Sequence, residues 1–188
     1  MARIAFDARK IRDFGIGTYI VTLLRGFARP DVEDEFVVFL PPGEELPIPS
    51  PRLRVVTTAA ANYGVREHYE LPWLARRHGA DLYHAPHYVL PWLAPSPSVV
   101  TVHDLIHLRF PDSLPNAAAP HYARQIMARA FRRTARVLTV SEASKADLLE
   151  RFGGPADRIT VIPNRVPDAF HAAISHEELE RVRARGGA

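Results

Sequence analysis

Seven short apolar runs, several of them β-branched, recur along the chain, and the gaps between them hold helical periodicity or Pro- and Gly-rich loops. The runs are Arg3 to Phe6, Glu35 to Leu40, Leu53 to Thr57, Asp81 to Ala85, Val99 to Val102, Arg136 to Val140 and Ile159 to Ile162. A continuous apolar run of this length suits a strand buried on both faces, and such strands belong to parallel sheets covered by helices. Strands alternating with helices therefore predict an α/β fold: a doubly wound, mainly parallel, Rossmann-like sheet of about seven strands.

The helical segments carry matching signals. Ile20, Val21, Leu24 and Phe27 make one apolar face from Thr18 onward, and Val65 to His78 places Tyr69, Leu71, Trp73 and Leu74 on another, with Pro72 as a point of kinking. Asn116 is placed to cap a helix running to about Arg133. Its apolar side is Ala123, Met127, Ala130 and Phe131, and its polar side is His121, Arg124, Arg129 and Arg132. Ser141 caps the helix holding Leu148, Leu149 and Phe152, which Gly153-Gly154 closes. Ser175-His-Glu-Glu178 fits a capping box for a short charged helix to Arg185.

In open parallel sheets ligands bind beyond the carboxyl ends of the strands. Two polar residues, His103-Asp104, follow the fifth run there, and they read either as a site feature or as a hydrogen-bonded anchor for the loop. After the first run comes a polar loop, Ala8 to Phe14, and then Gly15-Ile-Gly17-Thr-Tyr19. Glycines between a strand and a helix start either form a plain turn or let an anion approach backbone amides. The dinucleotide fingerprint is not satisfied, because Ile20 stands at its third glycine.

Composition excludes several classes. The 188 residues have 47% hydrophobic and 24% charged residues, ordinary for a globular chain with a sizeable core. No cysteine is present, which removes thiolate metal sites and thiol nucleophiles. A net charge of +3 with acidic residues mixed among arginines gives no nucleic-acid signature. No signal peptide or membrane-spanning run is recognisable, so a cytoplasmic protein is expected. His84, His87, His103, Asp104 and His107 lack the spacing of a metal set, and no Gly-x-Ser-x-Gly elbow marks a serine hydrolase. Neither a metal nor another cofactor is expected.

Four motifs in order then resemble a known family. They are Phe14-Gly-Ile-Gly-Thr-Tyr19; Thr101-Val-His-Asp-Leu105 with Phe110-Pro111; Val137-Leu-Thr-Val-Ser-Glu-Ala-Ser144; and Ile159-Thr-Val-Ile-Pro-Asn164. Together they resemble the amino-terminal domain of family-4 glycosyltransferases, closest to mannosyltransferase-like members that build surface polysaccharides. The resemblance implies the acceptor-side half of a GT-B architecture, with residues 1–170 as the Rossmann-like domain and 171–188 as a crossover segment toward a donor-binding domain. It implies a retaining, metal-independent transfer of a mannosyl or related hexosyl group. The partners implied are a nucleotide-sugar donor, a glycan or lipid-linked acceptor and a donor-domain partner chain; the alternative is a non-catalytic acceptor-binding subunit. It also implies roles for single residues: Gly15, Gly17 and Tyr19 at the cleft by the donor diphosphate, His103 beside the transferred sugar, and Asp104 bracing its loop. Ser141 and Glu142 would lie at the cleft wall and Asn164 at the crossover. Asn164-Arg-Val-Pro-Asp168 departs from the family's Asn-Gly-Val-Asp, and the family's basic pair and paired glutamates have no counterpart here. The Arg124/Arg129/Arg132 face reads either as a solvated helix face or as a surface for a peripheral contact with acidic lipid at the inner face of the membrane.

Overall fold

The computed structural model describes residues 1–110, 119–165 and 175–186. Its order is β1 (Arg3–Asp7), α1 (Phe14–Phe27), β2 (Glu35–Leu40), β3 (Leu53–Thr57), α2 (Glu67–Arg77), β4 (Leu82–Ala85) and β5 (Ser98–Thr101). There follow α3 (Ile106–Arg109), α4 (Ala119–Arg133), β6 (Arg136–Thr139), α5 (Glu142–Phe152), a 3₁₀ turn (Ala156–Arg158), β7 (Ile159–Val161) and α6 (His176–Gly186). All seven expected strands are present, and they form one sheet in the order β3-β2-β1-β4-β5-β6-β7. Every pairing is parallel, with Phe6 of β1 level with Val38 of β2 and His84 of β4.

Because every strand runs the same way, each connection must cross the sheet, and the hand of the crossover decides its face. From β1 the chain moves outward to β2 and β3, then returns past β1 to build β4 through β7. Helices of the two halves therefore fall on opposite faces. α1 closes one core, in which Ile20 and Leu24 pack on Phe6, Phe36, Val38 and Leu40. α2, α4 and α5 close the other, with Leu71, Leu74, Met127, Ala130, Phe131 and Leu148 over Phe39, Tyr83, Val100 and Val137. The sheet reverses its winding between β1 and β4, the position beyond whose carboxyl ends open parallel sheets hold their ligands.

Four features differ from expectation. α1 starts at Phe14, four residues ahead of Thr18, so Gly15 and Gly17 lie in its first turns and not in a turn or loop. The stretch read as a polar loop is largely buried: Ala8, Arg9, Lys10 and Ile11 are each at most 9% exposed. α2 is shorter by two residues at its start and one at its end, and it runs through a buried Pro72 without ending. The short α3 follows His103-Asp104, where only a loop was read. The Asn116 cap, Pro111 and the boundary between residues 170 and 171 lie outside the described residues. No described helix is long and apolar enough to cross a membrane.

Candidate functional site

At the carboxyl end of β1, Asp7 receives a two-pronged contact from Arg9, whose Nε and Nη2 each donate at 2.8 Å. The same guanidinium donates to Glu67 Oε2 and to the Ala60 carbonyl, both at 2.8 Å, which ties the β1 loop to the start of α2. Burial alone would raise the Asp7 carboxyl, but the Arg9 charge and its hydrogen bonds hold it below the ordinary carboxylate value. Glu67 goes the other way: burial raises its pKa despite the Arg9 contact. Lys10 turns to Asp13, with Nζ 2.5 Å from the carboxylate.

That last pair decides how α1 begins. Asp13 is the N-cap residue, yet its side chain takes no helix amide. The first hydrogen-bonded amide is that of Gly17, which donates to the Asp13 carbonyl. The amides of Phe14, Gly15 and Ile16 precede it, at the positive end of the helix dipole. Gly17 is buried because the helix lies on the loop before it: a Cβ there would sit 2.9 Å from the Ile11 carbonyl carbon. Gly15 meets nothing within 4 Å and is exposed. Of the two glycines, Gly17 serves close packing and Gly15 lines an open groove.

The groove, about 310 Å³, is walled by Gly15, Tyr19 and Leu23 of α1 and by Ile162, Asn164 and Arg165 after β7. It brings together three expected residues: Gly15, Tyr19 and Asn164. Among the described residues Arg165 is the one charged residue in its lining, and the sequence marks it only as part of the departure from the family's crossover motif.

Tyr19 joins the groove to the His103 loop. Its ring meets the His103 ring edge-on, with centroids 4.8 Å apart and planes at 90°. Its hydroxyl lies 3.2 Å from Thr101 Oγ1, which is also 3.2 Å from His84 Nε2. His103 Nε2 donates to the Pro86 carbonyl at 3.0 Å, so Nδ1 is left as the ring's acceptor. Burial lowers the His103 pKa, with the Pro86 contact and Asp104 partly opposing. The imidazole is thus neutral at neutral pH, half-buried and fixed in one tautomer. Asp104 is exposed, and its Oδ1 accepts the Ile106 amide at 2.9 Å at the start of α3.

The wall beyond His103 is the start of α5. Ser141 Oγ accepts the Ser144 amide at 3.1 Å and donates to Ser144 Oγ at 3.0 Å. Ser144 Oγ in turn donates to the His103 carbonyl at 2.9 Å. Glu142 occupies the first helical position and is exposed. Ser144 and Thr101 were each part of a quoted motif, but their contacts join elements far apart in the chain, which no local spacing reveals. His84 and His87 are part of the buried frame. Burial keeps His84 down to about 4 and His87 to about 3. His87 Nδ1 accepts the Val89 amide, and its ring lies against Tyr63 and Tyr88. Among the described residues no cluster of His, Asp and Glu is arranged to hold a metal ion.

The structure therefore brings Gly15, Gly17, Tyr19, His103, Asp104 and Ser141 to the carboxyl rim on α1, the β5–α3 loop and α5. Such a rim can offer a helix terminus to an anion and a neutral acceptor nitrogen to a hydroxyl.

Comparison with known proteins bears on the fold and the family. The chain is similar to Anabaena Alr3699/HepE solved in complex with UDP-glucose, with a TM-score of 0.63 and 16% identity. It is similar also to the same protein with UDP and glucose (TM-score 0.62) and with UDP (TM-score 0.60), again at 16% identity. In each case 100% of this chain and 50% of that chain are covered, so the chain spans about half the length of the solved structures it matches. At that identity the likeness speaks for the fold. No curated protein matches. The family model described as Glycosyltransferase Family 4 matches residues 15–170. That span runs from the first turn of α1 to beyond β7 and takes in every element of the rim, and on it the chain belongs to Glycosyltransferase Family 4.

Proposed function

We infer that this chain is the acceptor-side, amino-terminal half of a nucleotide-sugar-dependent glycosyltransferase. It passes a mannosyl or related hexosyl group, with retention of configuration, to a surface-glycan or lipid-linked acceptor on the cytoplasmic side of a membrane. The observation that carries this reading is the Tyr19–His103 contact, which joins the open start of α1 to the His103 loop at one rim. Family membership supports the reaction class, and the nucleotide and nucleotide-sugar held by Alr3699/HepE support the donor class.

Transfer from a nucleotide-sugar needs charge stabilisation at the departing diphosphate and a fixed line of attack for the acceptor hydroxyl. The amides of Phe14, Gly15 and Ile16 supply part of the first, aided by the helix dipole. Neutral His103 supplies an acceptor at Nδ1 for a sugar hydroxyl, and its orientation is set by Pro86, Tyr19 and Ser144. Ser144 is a positioning residue, since it acts through the His103 carbonyl.

The test is transfer from UDP-glucose and GDP-mannose by the purified chain, alone and with a donor-binding half supplied in trans. Alone, the chain is expected to turn over undetectably, because losing even one group that stabilises developing charge costs about 10²–10³ in rate. The mixture is expected to turn over, and His103→Ala to lower its rate by about 10² or more. Ordinary turnover by the chain alone would overturn the division between halves. Full activity in His103→Ala would overturn the site. Acceptor binding with no turnover in any mixture would favour the non-catalytic subunit.

A further inference from the structure

β4 and β5 lie side by side with His84 level with Val99, and Thr101 ends β5 two residues further on. Side chains alternate along a strand, so His84, Val99 and Thr101 share one face of the sheet with Phe6 of β1. That is the face α1 covers, since Ile20 and Leu24 pack on Phe6 there. Thr101 is fully buried and stands between the buried Val100 and Val102. Its hydroxyl lies 3.2 Å from the Tyr19 hydroxyl on one side and 3.2 Å from His84 Nε2 on the other. The His84 ring is itself packed against Phe6, with centroids 5.2 Å apart.

A hydroxyl both donates and accepts, so Thr101 is the middle member of this chain in either direction of donation. Burial keeps His84 neutral down to about 4, and the chain carries no charge. Apolar residues of the same shape would fill the space without the cost of taking three polar groups out of water. What a satisfied polar network adds is a single arrangement, because each of its bonds has a direction. The outer end of the chain is the Tyr19 ring, which stands edge-on to the His103 ring. The Pro86 carbonyl fixes one nitrogen of His103 and Ser144 fixes its backbone. A ring can still turn about one hydrogen bond, and a second ring packed at right angles to it blocks that turn.

We propose that Thr101 is a positioning residue: its hydroxyl, anchored on His84, holds Tyr19 in the place from which the Tyr19 ring fixes the plane of the His103 imidazole. Tyr19 then serves the site through His103, and not through a hydrogen bond of its own to the donor. Its hydroxyl is engaged inward, and the side chain is buried. The effect on turnover rests on the role given to His103 in sugar transfer; the fixing of the ring does not.

The test is nuclear magnetic resonance of the purified chain with labelled histidine and tyrosine, the His103 signals being those lost in His103→Ala. The unaltered chain is expected to show cross-peaks between the Tyr19 and His103 rings and one His103 tautomer, protonated at Nε2. Thr101→Val keeps the shape and removes the hydroxyl, and it is expected to lose the cross-peaks and show both tautomers. Thr101→Ser is expected to keep both signatures. Thr134 is a second buried threonine, bonded to the Ala130 carbonyl ahead of β6 and so at the opposite end of the sheet. Thr134→Val is expected to lower the urea midpoint to a similar extent and leave the His103 signals unchanged. Intact cross-peaks and a single tautomer in Thr101→Val, or equal losses in Thr134→Val, would overturn the proposal. Should Thr101→Val not fold, Tyr19→Phe keeps the ring and loses only its anchor, and unchanged signals there would overturn it equally. In the transferase reconstituted with a donor-binding half, Thr101→Val is expected to lower kcat about tenfold or more with the donor KM within about twofold. A raised donor KM with kcat unchanged would instead put Tyr19 on the ligand and overturn the proposal. A wild-type mixture without turnover would count against sugar transfer, while the ring signals decide the role of Thr101 by themselves.

Discussion

Two helices begin at the same rim and begin in different ways. α5 starts on Ser141, and its hydroxyl, Ser144 and the His103 carbonyl form a neutral chain that closes the helix end onto the neighbouring loop. α1 starts on Asp13, a residue type that ordinarily caps, but its carboxylate is held by Lys10 and takes no helix amide. The loop ahead of it is supported by buried charge, with Arg9 among Asp7, Glu67 and the Ala60 carbonyl. A cap and an anionic ligand compete for the same amides. Where the cap side chain is engaged, the helix end becomes a joint; where a cation diverts it, the end stays open to a ligand, and Gly15 leaves it uncovered.

The sharpest way to break this contrast is to remove the ionic support. Arg9→Met leaves Asp7 and Glu67 buried without their cation, and the expected loss is about 3–5 kcal/mol by urea denaturation. A loss below about 1 kcal/mol would show that Lys10 and packing suffice to hold the start of α1.

Acid strains the same region through its histidines. Burial holds His84 down to about 4 and His87 to about 3, against an ordinary 6.5. The unfolded chain therefore binds protons first. Stability is full above about pH 6.5 and falls as pH drops toward 4.5, by about 2 kcal/mol for each imidazole. Glu67 works in the opposite direction, since its raised pKa lets the folded chain take that proton early and offsets part of the loss. Urea midpoints at pH 6.5 and 4.5 measure the net effect, and a higher midpoint at pH 4.5 would contradict it.

Smaller changes separate the two helix ends further. Gly17→Ala forces a methyl onto the Ile11 backbone and is expected to cost about 1–3 kcal/mol. Ser141→Ala removes a cap and is expected to cost about 1 kcal/mol. Gly15→Ala meets nothing, so stability is expected to hold within about 0.5 kcal/mol. Because its methyl enters the groove, the same variant is expected to raise the donor KM of the reconstituted transferase. A KM unchanged in Gly15→Ala would mean that the open end of α1 is not where the donor lies.

Local pattern alone determined a good deal about this protein. Strand and helix periods are set by neighbours a few residues apart, so the seven strands, the apolar faces of α1 and α4 and the caps at Ser141 and Ser175 were all legible before any fold was known. Parallel pairing followed from the alternation, and the carboxyl-end position of His103 followed from the parallel pairing. What stayed hidden was whatever depends on a distant partner. Arg9 reads as loop because the residues around it show neither a strand nor a helix period, yet it is buried because Glu67, 58 residues on, neutralises it. Gly-Ile-Gly reads as a break because glycine disfavours helices, yet Gly17 is helical because Ile11 leaves no room for a side chain. A helical wheel puts Arg124, Arg129 and Arg132 on one side, but it cannot show that α5 carboxylates stand beside the first and Trp92 beside the others. Charge is buried, and a face acquires its character, only when remote segments meet, and the tertiary structure alone decides which segments those are.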